Sequence, residues 1–194
     1  MNLISNCCLV GDFCEIKKIK FFTPFVWNTF FIPDIKTLIE NYETLDFDNI
    51  ELTKYKNTQF LGIKIDNKVN CYFIHYLYGP NDLIKNNYNK EVRGKQIFDY
   101  IINSYIRRKT RIDLSEQPKF LFITDRLDYF KITGKYETPE EWNEIIKLLD
   151  NKKYKAIIFT KFDLVGTKYV KIIKECSDHP RTVCERHIKE IENL

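Results

Sequence analysis

The order of hydrophobic and polar positions in the first quarter of the chain predicts a strand followed by two helices. The apolar opening over residues 1–5 predicts a short strand, Asn6 a turn or helix cap, and residues 8–18 a helix. Pro33 is placed to begin a second helix, because residues 34–42 carry apolar side chains at helical spacing.

The second half of the chain alternates between strands and helices. Residues 120–125 and 154–160 are continuous apolar runs, as in buried parallel strands, and residues 170–173 predict a third strand. Between the first two, Thr138-Pro139-Glu140-Glu141 is a cap, a proline and two acids, which predicts a helix start. A closing helix is predicted over residues 180–191.

The middle of the chain predicts a β-hairpin. Residues 60–65 and 69–76 alternate like strands, and the polar residues between them suit a turn, whereas residues 46–51 are polar and turn-like. A helix is expected over residues 97–106. We therefore predict a single α/β domain spanning residues 1–194, with three layers, a largely parallel sheet and a hairpin.

Composition bounds the class of protein. The chain has 194 residues, 44% of them hydrophobic, and no stretch approaches the length of a membrane span. No secretory leader is recognisable, so we expect an intracellular, cytoplasmic protein with reduced cysteines. The formal charge is only +4, and acidic residues are mixed with basic ones almost everywhere, which argues against a nucleic-acid-binding protein.

Candidate chemistry lies where strands end, because ligands of open α/β sheets bind at the carboxyl ends of the strands. A thiol, an imidazole and a carboxylate meeting there would supply a nucleophile, a base and a group that orients the base. A thiol beside a helix start is also favoured as a thiolate. The residues at the predicted strand ends are Asn6, Cys7, Cys8, His75, Asp125, Arg126, Lys161 and Asp163.

Other interpretations stay open. Each cysteine could simply be a small core residue, His75 a core histidine, and Asp125 a turn cap. The basic residues 107–111 could bind a phosphate or could be a solvated helix end. No glycine-rich phosphate loop is present, and no cofactor is expected. A weaker alternative is a zinc site formed by Cys176, His179, Cys184 and His187.

Five short motifs follow one another along the chain: Ser5-Asn6-Cys7-Cys8, Pro24-Phe25-Val26-Trp27, Phe73-Ile74-His75-Tyr76, Arg107-Arg108 and Thr124-Asp125-Arg126. Their order resembles that of a family of bacterial and viral proteins. Some members are described as exopolysaccharide-biosynthesis proteins and others as papain-like cysteine peptidases. The likeness covers roughly residues 1–165 and leaves residues 166–194 as a C-terminal helical tail of the same domain. Its best register puts Cys8 on the family cysteine and Cys7 where an asparagine is usual.

The resemblance implies surface-glycan synthesis and a Cys–His pair. On this hypothesis Cys8 or Cys7 is the nucleophile, His75 the base, and Asp125 or Asn6 orients the base. An anionic or phosphorylated sugar would then be bound by Trp27, Arg107, Arg108 and Arg126. The alternatives are a non-catalytic or glycosyltransferase-like protein that binds a sugar nucleotide and, more remotely, a nucleic-acid-binding protein.

Overall fold

The computed structural model describes residues 2–20, 23, 25, 29–54, 61–72, 99, 102–126, 129–130, 133–177 and 179–194. In chain order, the main elements of these residues are β1 (Asn2–Ser5), α1 (Leu9–Ile16), α2 (Ile32–Asn41), a 3-10 turn (Tyr42–Thr44), β2 (Ile50–Lys54), β3 (Leu61–Ile65), β4 (Val69–Tyr72), α3 (102–109), β5 (Pro118–Ile123), α4 (Pro139–Lys152), β6 (Lys155–Thr160), β7 (Val170–Lys174), α5 (Pro180–Arg186) and α6 (Ile188–Glu192).

A four-stranded parallel sheet, in the order β1-β5-β6-β7, forms the centre of the fold. Its central strands are apolar at almost every position because both faces are covered. Alternate residues enter different cores. Ile4, Phe120, Phe122, Ala156 and Ile158 belong to one cluster, and Leu3, Leu121, Ile123, Ile157 and Phe159 belong to the other.

Helices complete the layers on each face of this sheet. Helices α2 and α4 pack against each other on one face, where Trp142 is fully buried. On the other face, α1 packs against α5, and Val183 and Ile191 join the second core. The predicted three-layer α/β fold is confirmed. None of the helices described is long and apolar enough to cross a membrane.

The predicted hairpin is part of a separate antiparallel sheet in the order β2-β3-β4. Strands β3 and β4 confirm it, but the turn expected over residues 46–51 is wrong at its end, because β2 begins at Ile50. β2 is an edge strand, and its Leu52 is 45% exposed. Its sequence therefore gives little sign of a buried face, and the strand is recognised by its pairing with β3. A Cβ at Gly62 would lie 2.5 Å from the Cys71 carbonyl oxygen, so β3 approaches β4 too closely for any side chain there.

The start of α4 is the capping box that its sequence predicts. The Thr138 hydroxyl accepts a hydrogen bond from the Glu141 N–H at 3.3 Å, and the Glu141 carboxylate accepts one from the Thr138 N–H at 3.0 Å. Both bonds satisfy N–H groups at the helix start that have no partner within the helix.

Removing the cap should weaken the fold measurably. We expect Thr138→Ala to lower the free energy of unfolding by about 1 kcal/mol, because one first-turn N–H loses its acceptor. Thr138→Ser keeps a hydroxyl and should retain most of that stability. Urea unfolding of the two variants checks this expectation, and equal losses in both would contradict it.

The chain after Gly166 is part of the sheet and its covering layer. Strand β7 pairs in parallel with β6, and the closing helix is two short helices separated at His187. The backbone of His187 leaves the helical conformation, with φ −118° and ψ 26°. The prediction of a continuous helix over residues 180–191 is therefore wrong at this one position.

Candidate active site

The carboxyl ends of β1 and β5 lie side by side because these strands are parallel neighbours. Asn6 continues their pairing through its side chain. Its Nδ2 donates to the Ile123 carbonyl oxygen at 2.9 Å, and the Ile123 N–H donates to its Oδ1 at 3.1 Å. Asn6 is fully buried. The loop that carries Cys7 and Cys8 is therefore held against the end of β5.

The backbone of Asn6 is hydrogen-bonded to the side chain of Arg126, which is only 3% exposed. One guanidinium nitrogen, Nη1, donates to the Asn6 carbonyl oxygen at 2.5 Å. The other, Nη2, donates to the Phe30 carbonyl oxygen at 3.0 Å, and Nε forms an ion pair with Glu137 at 3.3 Å. The guanidinium predicted to bind substrate is therefore directed to groups within the protein.

Glu137 completes this arrangement from the segment before α4. Its Oε2 accepts hydrogen bonds from the Asp125 N–H at 2.8 Å and from the Trp142 indole N–H at 3.0 Å. Burial raises the pKa of the Glu137 carboxyl, and the Arg126 guanidinium opposes that rise. Arg126, Glu137 and the groups they bond are termed the ionic brace. It links β1, β5 and α4 at the carboxyl ends of the strands, and this end of the sheet is termed its carboxyl edge.

Asp125 lies where β5 ends, with a backbone φ of +52°, a conformation that aspartate tolerates better than most residues. Its carboxylate forms an ion pair with Lys161, which follows β6. The predicted strand-end residues Asp125 and Lys161 are thus in contact. The same edge therefore carries a partly exposed carboxylate and an ammonium group beside the buried ionic brace.

The two thiols differ in their surroundings. Cys8 immediately precedes α1, and its carbonyl oxygen accepts the first helical hydrogen bond, from the Asp12 N–H at 3.0 Å. Cys7 belongs to the apolar cluster that also contains Phe13 and Phe159, whereas Cys8 belongs to neither cluster. Both are buried, at 4% and 7% exposure. The side chain of Cys8 makes no capping hydrogen bond to the first turn of α1, so only the helix dipole at this position favours its thiolate.

The remaining sequence candidates fall into two groups. His75 and Trp27 lie outside the described residues, so their roles stay predictions. Arg107 is exposed and Arg108 is buried near the end of α3. That end leads to Asp113, whose carbonyl oxygen is bonded to Asn2 at the amino end of β1. The chain that follows Arg107 and Arg108 therefore leads to the amino end of β1, the opposite end of that strand from Cys8.

Sequence reasoning missed a Glu–His pair at the end of β7. Glu175 is buried, and its carboxylate contacts Nε2 of His187 at 3.0 Å and Nη1 of Arg186 at 2.9 Å. The His187 ring packs on Phe159, with ring centroids 5.1 Å apart. Glu175 directly follows β7, the fourth strand of the parallel sheet, so the strand-end rule that predicted Asp125 and Lys161 could have identified it as well.

The alternative zinc ligands do not meet in one place. Cys184 is fully buried in the core, Cys176 is exposed, and the ring nitrogen Nε2 of His187 contacts the Glu175 carboxylate. Over the ranges that the structure describes, no group of three or more His, Cys, Asp or Glu side chains is placed to hold a metal ion.

Comparison with known proteins adds no family to this description. No protein-family model matches the chain, and no curated protein matches it either. The fold and the site together define a class: an α/β protein whose parallel sheet carries two thiols and a buried ion pair at its carboxyl edge. Its resemblance to glycan-synthesis proteins stays a prediction from sequence.

Proposed function

We propose that the protein is a cysteine-dependent transferase or hydrolase of surface-glycan synthesis, acting inside the cell, with Cys8 as its nucleophile. The observation that carries this proposal is the ionic brace next to the loop of Cys7 and Cys8. Buried ion pairs add little stability compared with apolar side chains of similar volume. Its placement at this loop, next to the positive φ of Asp125, is typical of functional sites, where geometry is held at some cost in stability.

The proposed reaction has two steps. In the first, the Cys8 sulfur attacks an electrophilic carbon of the substrate, and the bond between that carbon and the leaving oxygen breaks. His75, the base expected from the sequence, takes the thiol proton and delivers it to the leaving oxygen. In the second, water or an acceptor hydroxyl attacks the same carbon and gives its proton to His75, the bond between carbon and sulfur breaks, and His75 returns the proton to the Cys8 sulfur.

The substrate class, an anionic or phosphorylated sugar, is the one that the sequence resemblance implies. Lys161 follows β6 with its side chain about half exposed, and in this proposal its ammonium group exchanges its ion pair with Asp125 for a contact with that anion. Arg126 is committed to the ionic brace and takes no part in binding in this proposal. Asn6 positions the Cys8 loop through its two bonds to Ile123.

Alkylation by iodoacetamide at neutral pH tests the nucleophile. We expect Cys8 to be modified about tenfold faster than Cys176, which is exposed but has no helix start beside it. Cys184 should resist modification, because burial raises its pKa to about 12. Mass spectrometry of peptides from a time course gives the three rates. Modification of Cys176 with Cys8 spared would contradict the mechanism.

The burial of both thiols favours a second candidate, a non-catalytic or glycosyltransferase-like protein that binds a sugar nucleotide. In that case Cys7 and Cys8 are packing residues. Cys7→Ser serves as the matched variant, since it changes the neighbouring thiol alone. If Cys8→Ser removes the fast alkylation and Cys7→Ser retains it, the enzymatic proposal is supported over the second candidate.

A further inference from the structure

Two adjoining clefts open at the amino ends of β5 and β6, away from the candidate active site. Their volumes are about 600 Å³ and 520 Å³, and they share Lys155 and Tyr169 in their walls. Together they are termed the basic cleft. Six lysines line it: Lys119, Lys153, Lys155, Lys168, Lys171 and Lys189.

The cleft carries a large excess of positive charge. Its charged residues are the six lysines and two glutamates, Glu116 and Glu190. Removing these from the chain's 31 basic and 27 acidic residues leaves 25 of each. The basic cleft therefore carries a formal charge of +4, equal to the formal charge of the whole sequence.

The lysines are placed close together and outnumber the two glutamates of the cleft three to one. Lys119 and Lys155 are register partners on adjacent strands, so like charges project from neighbouring backbones about 5 Å apart. Within the described part of the chain, none of the six lysines forms an ion pair. Such an arrangement repels itself and attracts an anion, which would relieve the repulsion.

The size and the lining of the cleft suit a small phosphorylated ligand with a ring. Each of its two parts lies within the usual volume range of small-molecule sites. Lysine is a common phosphate-binding residue. Tyr169, at the junction of the two parts, offers an aromatic surface, and Nζ of Lys168 lies 5.6 Å from its ring centroid. Among the described residues that line the cleft there is no arginine and one aromatic residue, which is less than single-stranded nucleic acid usually requires.

We propose that the basic cleft is a binding site for a nucleoside diphosphate, with the phosphates on the lysines and the base on Tyr169. Strand β6 has six residues, so its two ends are about 17 Å apart. A nucleotide in the cleft is thus too far away to present its phosphates to Cys8. The cleft is a separate site, and the proposal does not depend on the chemistry of Cys8.

Isothermal titration calorimetry with UDP and ADP tests the proposal. The variant that combines Lys153→Gln, Lys155→Gln and Lys171→Gln should bind about tenfold more weakly, because three phosphate contacts are lost. A matched variant combines Lys20→Gln, Lys135→Gln and Lys147→Gln. It removes the same charge from exposed positions elsewhere and should change the affinity less than about twofold.

Further titrations separate the two halves of the ligand. Tyr169→Leu should reduce UDP affinity toward that of pyrophosphate, and uridine without phosphates should bind far more weakly than UDP. Equal losses in both triple variants would overturn the proposal, as would pyrophosphate binding as tightly as UDP in the unmodified protein. Binding of a single-stranded oligonucleotide or an acidic polysaccharide without binding of UDP or ADP would also overturn it. Cys8→Ser should leave UDP binding unchanged, so failure of one proposal is distinguishable from failure of the other.

Discussion

Replacing Arg126 by methionine is expected to lower the free energy of unfolding by about 3–5 kcal/mol. The replacement leaves the carboxyl of Glu137 buried without its cation, and it leaves the carbonyl oxygens of Asn6 and Phe30 without a donor. Glu137 would retain only the Asp125 and Trp142 N–H groups. Urea unfolding followed by tryptophan fluorescence and circular dichroism measures the loss.

Two further variants separate the pair from its surroundings. The double variant Arg126→Met with Glu137→Met removes both charges and should recover much of the stability, since no unpaired charge stays buried. Lys174→Met breaks the exposed ion pair with Asp163 and should have a far smaller effect. If Arg126→Met lowered the free energy of unfolding no more than Lys174→Met does, the hydrogen bond from Arg126 to the Asn6 carbonyl oxygen would not be stabilising the protein in solution. The role assigned to the brace would then fail.

Replacing Asp12 by asparagine is expected to stabilise the protein by about 3 kcal/mol above pH 7 and to have little effect near pH 4. Asp12 is 7% exposed on α1, and burial raises its pKa from 3.8 to about 6. As pH rises between these values, the carboxyl ionises first in the unfolded chain, so the wild-type protein loses stability. Above pH 6 the folded protein holds a buried carboxylate, which asparagine replaces with a neutral group.

Burial sets the sign of this effect, and the charged groups around Asp12 modify its size. Arg181 on the packed helix α5 and His179 lower the pKa of Asp12, whereas Glu15 on its own helix and Glu185 on α5 raise it. Cys184 faces the same carboxyl, and Asp12 contributes to the high pKa of that thiol. Unfolding curves of wild type and variant across this pH range give the difference directly.

A control with the opposite sign is available. Asp163 is exposed, and Lys174 lowers the pKa of its carboxyl, so Asp163→Asn should be slightly unfavourable at neutral pH. A stability difference between Asp12→Asn and wild type that does not vary with pH would show that the carboxyl of Asp12 is not buried as described.

Part of the candidate site follows from local sequence. The apolar opening and the helix period after Cys8 predict a strand-to-helix junction, and the structure has Cys8 directly before α1. The contact between Asp125 and Lys161 also follows, because parallel strand ends share one edge. The ionic brace does not follow, since Arg126 and Glu137 are eleven positions apart with no spacing rule that links them. Only the packing of α4 against the sheet brings Glu137 beneath the end of β5.

Local sequence was sufficient for the α/β class, the parallel strands and the start of α4, because these depend on hydrophobic runs and on a cap. It left the small sheet incomplete, since β2 is an edge strand whose pairing partner defines it. It also showed basic and acidic residues mixed along the chain, which suggested no charged surface. The gathering of six lysines around one cleft required the folded chain, because strand starts and loops distant in sequence meet at one edge of a parallel sheet.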